Sequence, residues 1–249
     1  MAAAEEARPK GVFITGTDTG VGKTLVAAAL ARFLNQRGMN IGVMKVVETG
    51  VEDPATLGPD ARLLQWAANC RADADVICPY RLRTPVAPDV AAKEERVRLE
   101  LSRMADAARQ LSEESDFLIV EGVGGLMVPL AGGFLVADLA RQMALPLLIV
   151  ARPDLGTINH TLLTVFAART MNLPTAGFLI NGMPKVPGVA EKTAPHSLSA
   201  LASADLLGVL ERVEGDDQTK VDALVGQIGC LPTLSWLGMN LGLPHGIFT

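Results

Sequence analysis

The sequence predicts an α/β fold with three layers, in which a mostly parallel central sheet lies between helices. Short apolar runs alternate with amphipathic segments from Gly11 onward, which is the pattern of successive β-α units. Apolar residues make up 49% of the 249 and charged residues only 20%, which fits strands buried on both faces. No internal repeat, low-complexity linker or block of charge divides the chain. We therefore expect one domain over residues 11–249, preceded by a flexible leader at residues 1–10.

Each element follows from a local pattern. Short runs of β-branched or bulky apolar residues, bounded by Gly, Pro, Asn or Asp, predict strands. These strands are Gly11–Thr15, Ile41–Val47, Phe117–Glu121, Leu147–Ala151 and Thr175–Asn181, with Leu206–Leu210 as a sixth candidate. Apolar residues at helical spacing predict the helices Thr24–Arg37, Asp60–Cys70, Arg96–Leu111, Val136–Met143 and Asn159–Met171. Segments rich in Pro, Gly and small polar residues predict mobile loops at Val51–Pro59 and Pro184–Ser199.

Composition also bears on the partners and on the compartment. The formal net charge is −5 and the Lys and Arg residues are scattered, so no basic surface for nucleic acid is evident. Cys70, Cys78 and Cys230 lack the spacing of a disulfide framework or a zinc site, which favours a reducing compartment. The sequence shows neither a signal peptide pattern nor a run of about 18 apolar residues for a membrane span. We expect a cytoplasmic protein with small-molecule partners, bound to neither nucleic acid nor membrane.

A glycine-rich segment joins the first predicted strand to the first predicted helix. Residues 16–24 read Gly-Thr-Asp-Thr-Gly-Val-Gly-Lys-Thr, in the context of a phosphate-binding loop. Its predicted nucleotide-binding residues are Gly20, Val21, Gly22, Lys23 and Thr24. Lys23 would lie on the β- and γ-phosphates of ATP, while the Thr24 hydroxyl would coordinate Mg²⁺. Because five residues rather than four separate Gly16 from Gly22, a chance glycine-rich turn is the alternative. The flanking strand and helix favour a fold of the P-loop NTPase type.

Lys45 ends an otherwise apolar predicted strand and precedes Glu48-Thr49-Gly50. Ligands of doubly wound sheets gather at the carboxyl ends of strands, so Lys45 is placed to point at the γ-phosphate. The alternative is an edge-strand lysine whose ammonium group reaches solvent. The neighbouring phosphate loop favours the active-site role.

Two acidic residues are candidates for binding Mg²⁺. Glu121 stands at the tip of the apolar strand Phe117–Val120 and opens into a glycine-rich turn, where P-loop proteins keep an acidic metal-binding residue. Asp60 opens a predicted helix. By spacing alone, Asp60 is better explained as an N-cap whose carboxylate accepts backbone N–H bonds.

These segments resemble the motifs of the dethiobiotin synthetase family. They are Gly-Thr-Asp-Thr-X-Val-Gly-Lys-Thr, Lys-X-Val-X-(Ser/Thr)-Gly, an Asp opening the next helix, Val-Glu-Gly-X-Gly-Gly and Leu-Gly-X-Ile-Asn-His, here at residues 16–24, 45–50, 60, 120–125 and 155–160. Their order and spacing are similar to those of the family, and the five-residue gap in the loop is normal there. The sequence after Glu211 contains no motif that we can match.

The resemblance implies a set of site residues. The residues implied to hold Mg²⁺ are Thr24, Asp60 and Glu121. Those implied to be catalytic are Lys45, Lys23 and Thr19. Those implied to contact the substrate are Lys45, Thr49, Leu155, Gly156, Thr157 and Asn159. The last four would come from the neighbouring subunit of a homodimer, so that the substrate site lies at the subunit interface. Asn181 resembles the residue that contacts adenine, and Glu121 also belongs to the implied nucleotide site.

The resemblance further implies an ATP- and Mg²⁺-dependent ligase of biotin biosynthesis. Such an enzyme joins CO₂ to the two amines of 7,8-diaminononanoate through a carbamate and a carbamic-phosphoric anhydride, and yields dethiobiotin, ADP and phosphate. One alternative is an amidotransferase of the cobyrinate type, but it needs a glutaminase domain for which 249 residues leave no room. Another is a switch ATPase similar to ParA or MinD. Those proteins carry an extra lysine near the start of the loop, where this sequence has Thr17 and Asp18.

Overall fold

Across residues 10–247, which the computed structural model describes, six parallel strands form one central sheet. Residues 1–9 of the predicted leader lie outside the described residues. In chain order the strands are β1 Gly11–Gly16, β2 Ile41–Lys45, β3 Glu48–Thr49, β4 Arg81–Leu82, β5 Phe117–Gly125, β6 Pro129–Ala131, β7 Phe134–Leu135, β8 Leu147–Ala151, β9 Thr175–Met183 and β10 Leu206–Glu211. The order in the central sheet is β10-β9-β8-β1-β5-β2, while β3–β4 and β6–β7 form two small two-stranded sheets.

Helices cover both faces of the central sheet. In chain order they are α1 Lys23–Asn35, α2 Pro59–Ala68, α3 Ala74–Ile77, α4 Pro88–Glu94, α5 Leu101–Glu113, α6 Val136–Met143, α7 Thr157–Thr170, α8 Val189–Leu201, α9 Asp217–Gly229 and α10 Leu234–Asn240, followed by a 3₁₀ helix at His245–Ile247. Over the described residues, no helix combines the length and the apolar character that a membrane span requires.

The side chains of β1 show how the layers are built. Val12 and Ile14 pack into the apolar cluster that contains α1, α2 and α9, whereas Phe13 between them packs into the cluster on the opposite face with α5 and α6. All three side chains are fully buried. The central strands are therefore apolar on both faces, which is the reason that the sequence shows continuous apolar runs. The predicted three-layer α/β fold is confirmed, and the sixth candidate strand is present as β10.

Several predicted boundaries are wrong for local reasons. The predicted helix Arg96–Leu111 begins only at Leu101, because Arg96 has a φ of 55° and residues 96–100 leave the helical conformation. The second predicted strand, Ile41–Val47, ends at Lys45 in the central sheet. Its chain continues into the small sheet as β3, where Glu48 pairs with Arg81 of β4.

The predicted mobile loop Pro184–Ser199 is also wrong, since most of it is α8. Ala194 and Leu198 are buried one helical turn apart, and Leu198 packs with Phe178 of β9. Pro195 lies inside the helix, where it lacks the N–H that would bond to the preceding turn. Burial of the helix face that carries Ala194 and Leu198 outweighs the hydrogen bond lost at the proline. The composition of the segment could not show this burial.

Candidate active site

The phosphate loop connects β1 to α1 at the carboxyl edge of the sheet. Gly20 and Gly22 have φ values of 74° and 88°, a left-handed conformation that turns the intervening backbone. Lys23 is 7% exposed, and its Nζ donates to the carbonyl oxygen of Asp18 at 3.0 Å. Burial lowers the pKa of Lys23 below its usual value, while the Glu121 carboxylate opposes that change. The loop thus surrounds the ammonium group of Lys23, at the position where phosphates would bind.

Lys45 lies at the centre of a network of polar side chains. Its Nζ donates to Asp60 Oδ2 at 2.7 Å and to Glu121 Oε1 at 2.7 Å. The Thr24 hydroxyl donates to the same Glu121 oxygen at 2.8 Å. Register explains the meeting, because Lys45, the last residue of β2, pairs directly with Glu121 of β5. β5 continues past the predicted end at Glu121 to Gly125. The structure therefore brings together the four residues that four separate sequence segments contribute.

Burial and charge set the protonation of this network. Burial alone would lower the pKa of Lys45, but the Glu121 and Asp60 carboxylates outweigh it and raise the pKa above the ordinary lysine value. Lys45 therefore stays protonated. Burial raises the pKa of Glu121, and the Lys45 ammonium opposes that rise. Glu121 Oε2 is buried and has no hydrogen-bond partner among the described residues, so one of its oxygens remains available to a ligand.

Asp60 does not cap α2, so the N-cap interpretation favoured by sequence spacing is wrong. The N-cap is Gly58, Pro59 takes the first helical position, and Asp60 follows it in the first turn. The Asp60 carboxylate accepts from Lys45 instead of from the helix amides. Those amides are bound by Glu48, a residue to which the sequence patterns assigned no role.

A cleft of about 460 Å³ opens over the Lys45 network. Its walls include the loop residues Thr19, Gly20, Gly22, Lys23 and Thr24 together with Lys45, Thr49, Asp60 and Glu121. Thr19 is exposed at the rim, where its backbone N–H donates to Asp18 Oδ1 at 2.7 Å. Most of the residues that sequence reasoning assigned to phosphate, metal or substrate therefore line one cleft.

A second cleft of about 320 Å³ lies on the other side of the loop and shares Thr19, Gly20 and Gly22 with the first. Asn181 of β9 lines it, and its side-chain amide donates to the Val21 carbonyl oxygen at 3.0 Å. The amide oxygen of Asn181 is left free of this bond and can accept from a base. The lining also includes five charged residues for which we could read no sequence signal: Arg152, Asp154, Glu211, Arg212 and Lys220.

The predicted substrate residues Leu155, Gly156, Thr157 and Asn159 line neither cleft, although Asp154, next to Leu155, lines the second one. Leu155 and Gly156 lie between β8 and α7, and Gly156, with a φ of 96°, is the N-cap of α7. Thr157 and Asn159 belong to the first turn of α7. Thr157 is buried with its hydroxyl 3.5 Å from that of Thr161, whereas Leu155 is 85% exposed. None of the four lines the cleft over Lys45 in the described residues of this chain.

The matching family model and the curated relatives agree on the class of protein. A family model described as an AAA domain matches residues 10–219. The ATP-dependent dethiobiotin synthetase BioD of Thermodesulfovibrio yellowstonii is 42% identical over 210 residues, which cover 80% of this chain and 88% of that protein. The protein of the same name from Bacillus subtilis is 35% identical over 230 residues, which cover 88% of this chain and 99% of that protein.

Solved structures share the fold at much lower identity. A ParA family ATPase from Chlorobium tepidum superimposes with a TM-score of 0.52 at 17% identity, and the match covers 94% of this chain and 100% of that one. Identity at this level shows the P-loop NTPase fold alone.

Proposed function

Because the chain belongs to the ATP-dependent dethiobiotin synthetase family, we propose that it joins CO₂ to both amines of 7,8-diaminononanoate and closes the ureido ring of dethiobiotin. Family membership makes the chain an ATP-dependent enzyme of the ligase type. The observation that carries the proposal is the convergence of Lys23, Lys45 and the Glu121 carboxylate on one cleft beside the phosphate loop. This arrangement suits transfer of a phosphoryl group between two anionic oxygens.

The proposed reaction has three steps. One amine of the substrate attacks CO₂ and loses a proton, which gives a carbamate. A carbamate oxygen attacks the γ-phosphorus of ATP, the bond to the bridging oxygen breaks, and ADP leaves. The second amine then attacks the carbamate carbon, loses a proton and expels phosphate, which carries away one oxygen that came from CO₂.

Charge stabilisation is the main task of the protein in the second step. Negative charge builds up on the carbamate, the γ-phosphoryl group and the departing ADP. Lys23 approaches from the loop and Lys45 from β2, so we assign both to this charge, with the rim residues Thr19 and Thr49 beside the reacting oxygens. Lys45 is 4% exposed and fixed by two carboxylates, so its ammonium is positioned before the substrates arrive.

The side chains of the cleft fit a Mg²⁺ ion. Thr24, Asp60 and Glu121 present only oxygen donors, which hard cations prefer, and the free buried Oε2 of Glu121 is an unused ligand atom. No group of three His, Cys, Asp or Glu side chains within residues 10–247 is arranged to hold a metal alone. Phosphate oxygens and water would therefore complete the coordination. When bound, Mg²⁺ neutralises phosphate charge as part of phosphoryl transfer.

We propose that the segment at the start of α7, residues 155–159, serves the partner subunit. Leu155 and Asn159 are exposed and lie outside the cleft of their own chain, which supports a substrate site shared between two copies. In this arrangement the substrate's carboxylate tail binds near Gly156 and Asn159 of one copy, while its amines lie at Lys45 of the other. Asn181 receives the adenine.

The test is incubation of the purified protein with the diamine, bicarbonate, Mg²⁺ and ATP. We expect phosphate release to depend on the diamine and to match dethiobiotin formation one to one by mass spectrometry. A monoamine analogue is the matched control, because it can form a carbamate but has no second amine to close the ring. Phosphate release at an unchanged rate without the diamine would exclude this function.

A further inference from the structure

Glu48 is a buried acidic residue next to the proposed active site, and the reaction just described does not use it. It lies on β3, three residues after Lys45, and is 4% exposed. Its backbone N–H donates to the Tyr80 carbonyl oxygen at 2.9 Å, and it pairs with Arg81 in the small sheet. The backbone of Glu48 is therefore held independently of α2.

Both carboxylate oxygens of Glu48 are engaged by the first turn of α2. The N–H of Asp60 donates to Oε1 at 2.8 Å, and the N–H of Ala61 donates to Oε2 at 3.1 Å. These are N–H groups that a helix leaves without partners at its start. Each oxygen of Glu48 thus accepts one N–H of the first turn of α2.

The helix has no cap of its own. Its N-cap is Gly58, which has no side chain, and Pro59 has no N–H to donate. A Cβ at Gly58 would lie 2.4 Å from the Glu48 carboxylate, so glycine at this position leaves room for the remote cap. The capping role that a local Ser, Asp or Asn usually fills is thus supplied by a residue ten positions earlier in the chain.

The position of Asp60 depends on this turn. Its side chain is 39% exposed, and its one hydrogen bond among the described residues goes to Lys45 at 2.7 Å. The residues before it, 50–58, form bends and turns without a helix or strand. Packing of the buried Leu64 holds the body of α2, and the hydrogen bonds from Glu48 tie its first turn, with the Asp60 backbone, to the chain beside Lys45.

We propose that Glu48 is a positioning residue that holds the first turn of α2 so that the Asp60 carboxylate faces Lys45 and the metal-binding oxygens. This inference rests on the proposed function for the role of Asp60 as a Mg²⁺ ligand. Removal of Glu48 should weaken the Mg²⁺-dependent part of nucleotide binding and leave the metal-independent part intact, because the hydrogen bonds of its carboxylate within the described residues go to α2 and not to the phosphate loop.

The experiment measures the affinity for a non-hydrolysable imido analogue of ATP, with Mg²⁺ and with a chelator, in the full-length protein. For Glu48→Ala we expect the enhancement by Mg²⁺ to fall about 10-fold, on the scale of one lost helix cap, with an unchanged affinity in the chelator. Glu48→Gln keeps one acceptor oxygen, so its enhancement of affinity by Mg²⁺ should lie between those of the wild type and Glu48→Ala. The control is Glu52→Ala, which removes an exposed carboxylate from the adjoining loop and should change neither affinity.

A double-mutant cycle separates positioning from a general structural role. If Glu48 acts through Asp60, then Glu48→Ala added to Asp60→Asn should cause no further loss of the Mg²⁺ enhancement. Additive losses, or an equal loss of affinity with and without Mg²⁺, would overturn the proposal. If Glu48→Ala does not fold, Glu48→Gln carries the same cycle. These measurements record nucleotide binding and do not depend on ring closure. The proposed reaction can therefore fail in its own assay without affecting this test.

Discussion

At the scale of single residues, Lys45 controls the electrostatics of the site. Two carboxylates and one ammonium group meet in a place where Glu121 is fully buried and Lys45 is 4% exposed. A buried ammonium is tolerated only where anions accompany it. We infer that the carboxylates hold Lys45 protonated and oriented until the phosphoryl and carbamate oxygens arrive.

The change Lys45→Gln tests this assignment. We expect kcat for ring closure to fall about 10²-fold or more, the loss typical of removing one charge-stabilising donor, while ADP affinity stays within a few-fold. Single-turnover ring closure and ADP binding are measured separately. Thermal unfolding serves as the control, because Glu121 would lose its charge partner. Full ring-closure activity would show that Lys45 has no part in the chemistry, and loss of ADP binding would show that its role is structural.

The three cysteines should differ in reactivity. Burial raises the pKa of the Cys78 thiol to about 12, and the reactive thiolate is therefore scarce at neutral pH. Cys230 is exposed, whereas Cys70 is partly buried. With an aromatic disulfide reagent at pH 8, we expect Cys230 to react first and Cys78 to react only after denaturation. Cys230→Ser should remove the fast phase, and three equal rates in the native protein would contradict the burial of Cys78.

Residue-level prediction worked where the function depends on strand ends. Lys45 and Glu121 could be placed from sequence, because each is a charged residue that interrupts an apolar strand run near the carboxyl edge of the sheet. The predicted strand end was correct for Lys45 but wrong for Glu121, since β5 continues to Gly125. Asp60 and Glu48 could not be read in this way. Their roles depend on a contact across twelve residues of chain, and the local pattern pointed to Asp60 as a cap when Glu48 fills that role.

At the scale of elements, the phosphate loop relies on two glycines in different surroundings. A Cβ at Gly22 would lie 2.2 Å from Asn181 Nδ2, whereas a Cβ at Gly20 would meet no atom within 4 Å. Both residues have positive φ, so alanine at either position raises the free energy of the backbone by a similar amount. A difference in effect between alanine at Gly22 and alanine at Gly20 therefore reports the steric contact with Asn181.

We therefore expect Gly22→Ala to weaken ADP binding far more than Gly20→Ala does. The clash displaces Asn181 from Val21 and disturbs the loop that holds the phosphates. Isothermal titration with ADP in both variants measures the effect, and unfolding by urea shows whether each variant is folded. Equal losses in the two variants would mean that backbone strain, rather than the contact with Asn181, governs the loop.

Two helices that pack on the core, α8 and α9, were not predicted from the sequence. The helix α8 was hidden by Pro195 and its flanking glycine and prolines. The helix α9 did carry a signal: Asp216 accepts from the Thr219 N–H at 2.8 Å as an N-cap, and buried apolar residues follow at helical spacing. Recognition of that cap would have placed a helix in the segment that no family motif covers.

At the scale of the whole molecule, α7 presents an apolar surface that no part of residues 10–247 covers. Leu163 is 57% exposed and Phe166 is 68% exposed, one turn apart and close in sequence to Asn159. We expect this surface to lie in the homodimer proposed above.

Replacing both side chains, Leu163→Asp with Phe166→Asp, should give monomers with weaker binding of the diamine and unchanged binding of ADP. Light scattering and titration of each ligand measure these effects. The control is Met239→Asp, an exposed apolar position on α10 across the sheet. A wild-type chain that is active as a monomer at assay concentration would contradict the shared substrate site.

The fold alone would not have decided the function. The chain shares its architecture with a ParA family ATPase over nearly its whole length, yet at 17% identity. Composition and periodicity predicted the layers of this fold. The distinction between a ligase and a switch depended on a few side chains at the carboxyl edge of the sheet and on relatives at 35% to 42% identity.

The most direct test of the proposed chemistry follows an oxygen atom. A single turnover is run with ATP, Mg²⁺, the diamine and CO₂ labelled with ¹⁸O, and the released phosphate is analysed by mass spectrometry. If a carbamate oxygen attacks the γ-phosphorus in the cleft over Lys45, each phosphate released with dethiobiotin carries one labelled oxygen. Unlabelled phosphate accompanying dethiobiotin would contradict a phosphorylated carbamate, and unlabelled phosphate without dethiobiotin would contradict the ligase itself.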